Sequence, residues 1–381
     1  MTDVIVVGAG VVGLTTALAL RAENATVTLV DEGRADGTAS WAGGGILSPL
    51  YPWRYSPAVH ALALAGARLH PCLRDTLVER TGIDPELRRD GLVVLDAEVQ
   101  AAGLAYAEAQ GIDVSSVGIE RLRALLPGLT PDLKHGLYFP EVATVRNPRL
   151  LSALRAALEV DPGVRFERAR RVEQLVLRGG RVQGVATPSG NLCADRVVLA
   201  CGAWAGLLDL PGGRLQIVPV RGQMLLFRFS PPALQVPVLF EGRYLVPRSD
   251  GHLLVGSTLE TAEFDSGTTA EAAAVLEEFA RRLFPMVFEG QAPLRHWAGL
   301  RPGSADGIPW IGPWPETPGL YLNVGHYRYG LTMAPAAARL LVESLMGRAS
   351  SFGHVADYAP ENRRSATQGR AFSVGTAAPE S

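Results

Sequence analysis

Three glycines near the start of the chain carry the first chemical signal. Gly8-Ala9-Gly10-Val11-Val12-Gly13 follows a short β-branched run, Asp3-Val4-Ile5-Val6-Val7, which reads as a strand buried on both faces. Leu14 to Asn24, rich in Ala and Leu, reads as a helix, and Thr26-Val27-Thr28-Leu29-Val30 reads as a second strand ending in Asp31-Glu32. Strand, glycine turn, helix, strand and acid in that order form a dinucleotide-binding fingerprint. Gly8 makes the tight turn, Gly10 lets the backbone approach a pyrophosphate, and Gly13 lets the helix pack close to the strand. Ala9, Val11 and Val12 complete that turn, and the helix start offers free N–H groups and a partial positive charge to the phosphates. Asp31 is placed to accept the ribose hydroxyl bonds, with Glu32 taking over if the strand end is shifted by one. An acid there repels a 2′-phosphate and disfavours NADP, but it does not separate FAD from NAD.

A second group of residues bears on what such a nucleotide would do. Ala39-Ser40-Trp41-Ala42-Gly43-Gly44-Gly45-Ile46-Leu47 is another glycine-rich stretch. Simple NAD-binding folds enter a further βα unit at this point. A loop of small residues instead suggests close passage along an extended cofactor, and Trp41, Ile46 and Leu47 have little use in a solvated linker. Further on, Arg301 stands between apolar Leu300 and Pro302. The planar guanidinium fork can hold a carboxylate by two parallel charge-assisted bonds. The competing reading is a structural arginine paired with a buried acid such as Asp306. Tyr244, in Gly242-Arg243-Tyr244-Leu245-Val246-Pro247-Arg248, could add a hydroxyl to the same carboxylate or be an ordinary half-buried strand tyrosine. Arg328 is a second basic group, and His326 beside it, as a lone histidine, reads first as structural. No general base stands out.

These residues together give the chain a specific likeness. The fingerprint with Ala39 to Pro49 resembles the D-amino acid oxidase and glycine oxidase superfamily of flavoproteins. Gly163-Val164-Arg165-Phe166, Val172-Glu173-Gln174-Leu175 and Arg196 to Trp204 resemble that family's second FAD-contact region. There the residue matching Val172 offers backbone groups to the adenine, and the Ala200-Cys201-Gly202-Ala203 turn with Trp204 lies close to the cofactor. Trp297 to Pro302, Asp306 to Gly312 and Asn323 to Thr332 resemble the glycine oxidases of thiamine biosynthesis. The likeness spans about residues 3 to 347.

The resemblance implies FAD as cofactor, held by the two glycine stretches, Val172, Cys201, Gly202, Trp204, Arg301 and the run His326-Tyr327-Arg328-Tyr329-Gly330-Leu331-Thr332. It implies Arg301 and Tyr244 as the carboxylate clamp, Arg328 close by, and glycine oxidised by hydride transfer to flavin N5. Oxygen would then be reduced to hydrogen peroxide and the imine hydrolysed to glyoxylate and ammonia. Glycine oxidases commonly carry Arg-Asn-Gly where this chain has Arg328-Tyr329-Gly330, which is closer to D-amino acid oxidases. Glycine, sarcosine and small D-amino acids therefore all stay open as substrates. So do two other functions: a dehydrogenase that passes electrons to a quinone or carrier, and a non-catalytic flavin-binding redox sensor. Related sarcosine oxidases attach flavin through a carboxy-terminal cysteine, and another group uses a histidine in the loop after the second strand. This chain has no cysteine after Cys201 and no histidine at Ser40-Trp41-Ala42, so non-covalent FAD is expected.

Organisation and composition fit that reading. The expected fold is α/β, a Rossmann-like FAD-binding domain (1–85, 142–216 and 296–348) interleaved with a β-rich α+β substrate domain (86–141 and 217–295). Ala270 to Leu283 reads as an amphipathic helix, and residues 349–381 read as a mobile tail. With 47% hydrophobic residues the 381-residue chain can bury substantial cores. A formal charge of −2 gives no reason to expect nucleic acid or an anionic membrane as partner. Three cysteines (Cys72, Cys193 and Cys201) without paired spacing argue against a disulfide scaffold and a structural zinc site, and fit the cytoplasm. Val4 to Leu20 carries no charge, but it is short for a span of roughly 20 residues, and Asp3 stands where a signal peptide needs positive charge. The resemblance further implies a homo-oligomer, with a tetramer the specific form.

Overall fold

The computed structural model describes residues 3–33 and 37–367. Two large sheets organise it. The first has six strands in the order Trp310–Pro313, Leu320–Val324, Arg196–Leu199, Asp3–Val7, Thr26–Asp31 and Val164–Arg168. All neighbours pair in parallel except Trp310–Pro313 with Leu320–Val324. Asp3–Val7 lies at its centre, and Val4, Ile5, Val6 and Val7 are all buried. This continuous apolar run is what a strand covered on both faces requires. One face packs on the helices Val11–Ala22, Pro57–Thr81, Asn147–Glu159 and Gly330–Leu345 through Val4, Val6, Leu14, Leu62, Leu154 and Leu341. The other face, with Ile5, Val7 and Leu199, packs on Val182 and Val185 of a three-stranded antiparallel sheet (Gln174–Arg178, Arg181–Thr187 and Gly190–Cys193).

The second sheet has ten strands. Its longest strand, Ile217–Arg228, pairs antiparallel with Arg295–Ser304 on one side and His252–Gly256 on the other. Arg243–Pro247, Val238–Phe240, Leu92–Val94, His135–Phe139 and Ser115–Gly118 continue it. The helix Ala270–Leu283 has the bounds expected from its amphipathic pattern, and buries Leu276, Phe279, Ala280 and Leu283 against Leu225, Phe227, Leu245 and Val255. The fold is thus α/β with a β-rich second part, as expected.

Four local expectations are corrected. The fingerprint helix begins at Val11 rather than Leu14, because Gly10 is extended and acts as its N-cap, which places Gly13 inside the first turn. Ala39–Ala42 is a one-turn helix instead of loop, seated by Trp41 edge-on to Trp297 and by Trp297 Nε1–H donating to the Ala42 carbonyl. Arg295–Ser304, placed mostly with the cofactor segments by its sequence neighbours, is a strand of the ten-stranded sheet. The fourth correction concerns the tail.

Residues 349–367 are ordered by two buried anchors. Tyr358 is 1% exposed, and its hydroxyl donates to the Ala58 carbonyl. Arg363 donates to the carbonyls of Ile308 and Pro309, pairs with Asp306 and lies over the Trp310 ring. Residues 368–381 of the expected tail lie outside the described residues. Tyr358→Ala is expected to lower the unfolding free energy by about 3 kcal/mol, the scale of a buried aromatic truncation. Thermal unfolding checks this, and an unchanged transition would return the segment to the status of a passive tail. Among the described residues no helix is long and apolar enough to cross a membrane.

Candidate active site

A cavity of about 500 Å³ runs between the two sheets. One end is built by the fingerprint. Gly8 has φ +105, and a Cβ there would lie 2.6 Å from the Ala200 carbonyl oxygen. A Cβ on Gly13 would sit 1.8 Å from the Gly8 carbonyl oxygen, so this glycine sets the helix-to-strand distance. Gly10 faces Ser40, whose hydroxyl accepts from Val11 N–H at 3.0 Å and so caps the helix from the second glycine stretch. Asp31 accepts from Ala9 N–H and Gly33 N–H, both at 2.7 Å, which fixes its carboxylate at the strand end.

Most of the expected cofactor residues meet in this cavity. Gly8, Gly10, Val11, Val12, Asp31, Glu32, Ala39, Ser40, Gly43, Gly44, Gly45 and Ile46 line it, with Val172, Cys201, Gly202 and Trp204. So do Arg301 and the whole run from His326 to Thr332. Three do not. Gly13 packs under the turn, Ala9 is buried with its N–H spent on Asp31, and Leu47 turns into the helical core. Arg170, Arg171, Asn147, Met224 and Ser257, none of them expected from the sequence, also line the cavity. Nothing in their local sequence marks them, since each is brought there by pairing or packing with a distant segment.

The other end is cationic. Arg301 projects from the strand Arg295–Ser304 across Gly222 of the neighbouring strand. A Cβ on Gly222 would fall 2.1–2.3 Å from the guanidinium, so only glycine leaves room for it. Arg301 donates to the carbonyls of Arg221 and Thr258, both at 3.2 Å, and to the Ser257 hydroxyl at 2.7 Å. Asp306, the acid that would make Arg301 structural, is instead taken by Arg363. Burial lowers the pKa of Arg301, and the nearby charge of Arg328 lowers it further. Neither arginine forms an ion pair with a carboxylate among the described residues. Burial likewise opposes the charge of Arg328, but the surrounding hydroxyls of Tyr55, Tyr329, Tyr327 and Tyr244 outweigh it and raise its pKa. Two neighbouring cations without an acid form a receptor for an anion.

Tyrosines shape the space around them. Tyr244 is 7% exposed, and its hydroxyl lies 3.5 Å from Met224 Sδ. Tyr329 meets the ring of Tyr55 edge-on at 4.9 Å, so the 51–56 segment backs the site. Tyr51 anchors that segment by donating to Asp96 at 2.6 Å and accepting from Gly242 N–H at 3.0 Å. His326 is buried, its Nε2 has no partner, and burial pushes its pKa down to about 3, so the ring is neutral.

The sequence profile of the FAD dependent oxidoreductase family matches residues 3–344. The chain belongs to this family. Among its relatives is a glycine oxidase from Pseudomonas putida, 48% identical over 95% of this chain and 99% of that one. A bifunctional protein ThiO/ThiG from Nostoc is 32% identical over 91% of this chain and 53% of its own length. A crystal structure of glycine oxidase from Geobacillus kaustophilus superposes with a TM-score of 0.87 at 29% identity, covering 94% of this chain and 98% of that one.

The cavity of this FAD-dependent oxidoreductase fits its cofactor on independent grounds. It has an acid at one end, and its backbone at Gly8, Gly10 and Gly44 comes closer to its neighbours than a Cβ would allow. It also holds buried polar atoms without protein partners, His326 Nε2 and Asn323 Oδ1, on residues that line it. Gly8, Gly10 to Val12, Asp31 and Val172 to Gln174 would hold the nucleotide portion, and Gly43 to Ile46 with His326 to Thr332 the flavin portion.

Proposed function

We propose that this FAD-dependent oxidoreductase oxidises glycine to the imine, which water converts to glyoxylate and ammonia, with oxygen as electron acceptor. The observation that carries the reading is the half-buried Arg301, held by three hydrogen bonds to neutral acceptors and facing the cavity without an acid of its own. A substrate carboxylate supplies the missing counter-charge, and the guanidinium fork fixes its plane as well as its position. The Tyr244 hydroxyl adds a second point of contact, and Arg328 strengthens the local field. When bound, FAD supplies acceptance of two electrons from the substrate and their return to oxygen. The protein's own part is orientation: a carboxylate fixed at one end leaves the α-carbon a defined place in a small, aromatic-walled space. No carboxylate or histidine base is needed if the amine binds uncharged. The neutral His326 fits that arrangement, because it adds no third positive charge beside the amine. A non-catalytic flavin sensor would have no use for the unpaired arginines.

The flavin is held without a covalent bond in this reading. Cys201, the cysteine that lines the cavity, is kept as a thiol by burial, which pushes its pKa up to about 12. Acid-denatured protein is expected to release all of its flavin into the supernatant, and flavin that stays with the precipitate would refute this.

The deciding experiment is an anaerobic flavin spectrum with glycine added and air admitted afterwards. Bleaching by glycine and recovery in air with peroxide formed is the expected result. Bleaching without recovery would replace oxygen with another acceptor. No bleaching by glycine, with bleaching by sarcosine or a small D-amino acid, would reassign the substrate.

A further inference from the structure

Arg248 is a buried arginine that the chemistry above does not use. It is 2% exposed, and it does not line the cavity. Its NH2 donates to the Gly44 carbonyl at 2.9 Å, while Nε and NH1 are buried without an acceptor. Burial pushes its pKa down to about 10. Glu86 and Asp250 influence it through space, but both are engaged elsewhere: Glu86 accepts from Ser249 and Arg146, and Asp250 accepts from Arg146. An arginine buried with one hydrogen bond and no paired acid costs stability, so its single contact needs a reason.

That contact sets the orientation of a peptide on the cavity wall. The Gly44–Gly45 bond is trans, so the Gly44 carbonyl and the Gly45 N–H point in opposite directions. The carbonyl turns back to Arg248, and the Gly45 N–H therefore turns away from it. This N–H donates to no backbone acceptor among the described residues, and Gly45 lines the cavity. The surroundings keep the peptide from rotating. Val145 N–H donates to the Gly45 carbonyl at 2.8 Å, and Leu47 N–H donates to the Ala143 carbonyl at 2.8 Å. Tyr244, on the strand Arg243–Pro247 that leads into Arg248, presses against Gly44, where a Cβ would lie 2.5 Å from its Cε2.

We infer that Arg248 is a positioning residue for the cofactor: by holding the Gly44 carbonyl it aims the Gly45 N–H at the flavin end of the cavity. The inference rests on FAD binding by this family and is independent of which amine is oxidised. Arg248→Met removes the donor and the charge but keeps much of the side-chain length. FAD is expected to bind about tenfold more weakly, the scale of one hydrogen bond to a charged group, and the absorption bands of the bound flavin are expected to shift. The sharper readout compares unfolding of the FAD-free and FAD-loaded forms at one FAD concentration. Ligand stabilisation follows the ratio of free FAD to its dissociation constant. A role toward FAD therefore narrows the gap between the two melting temperatures, whereas a purely structural role lowers both equally. If the methionine variant does not fold, Arg248→Gln is measured in the same way, since it keeps one donor without the charge or the reach. A folded variant with wild-type FAD affinity, an unchanged flavin spectrum and an unchanged gap would overturn the inference.

Discussion

Arg301→Met is expected to lower kcat/KM for glycine about a thousandfold while leaving FAD bound. Breaking a buried charge-assisted contact costs on the order of 2–5 kcal/mol, and about 4 kcal/mol corresponds to that factor. The expectation for FAD follows from where Arg301 is held. Its three hydrogen bonds run to Arg221, Thr258 and Ser257, all within the ten-stranded sheet or the turn after His252–Gly256, and none reaches the fingerprint. Arg301→Lys should recover little, because an ammonium cannot reproduce the planar fork. Steady-state kinetics with flavin content measured on the same samples is the check. Near-normal kcat/KM would move the carboxylate elsewhere in the site. Loss of flavin together with turnover would make Arg301 a structural residue.

Gly13→Ala is expected to weaken FAD binding about ten- to a hundredfold. The new methyl would lie 1.8 Å from the Gly8 carbonyl oxygen and 3.0 Å from its carbon. Both atoms are backbone at a turn whose own glycine has φ +105, so neither can step aside cheaply. The helix Val11–Ala22 must move outward instead, taking its first N–H groups with it and stretching the Val11-to-Ser40 bond of 3.0 Å. Overpacking of this kind costs roughly 1–3 kcal/mol in a core, and here most of it falls on the phosphate-facing turn. Gly353→Ala is the control, since nothing lies within 4 Å of a Cβ there and its backbone conformation is ordinary. FAD titration of both variants is the test, and equal affinities would show that the turn tolerates the shift.

Both predictions lean on residues that the chain itself marks, and the reason is physical. The fingerprint is a local code: turn, helix start and strand-end acid lie within about 30 residues, and each glycine answers a backbone requirement that no other residue meets. Arg301 stands out in the sequence because a cation between Leu300 and Pro302 needs a partner, either a ligand carboxylate or a buried acid such as Asp306. The amphipathic pattern of Ala270–Leu283 gave its helix for the same reason, since periodicity is itself local.

What the sequence determined by itself was therefore the nucleotide turn, the acid that follows it, the cationic candidates and the α/β class. What only the tertiary structure decided was partnership. It gave Asp306 to Arg363 and so left Arg301 without an acid. It put Arg301 in the ten-stranded sheet with its guanidinium over Gly222, turned the 352–363 segment from tail into an anchored part of the fold, and laid Arg248 behind Gly44. Each of these is a contact between segments far apart in the chain. A local pattern states what a residue requires, but which distant group meets that requirement is settled only when the strands pair and the helices pack.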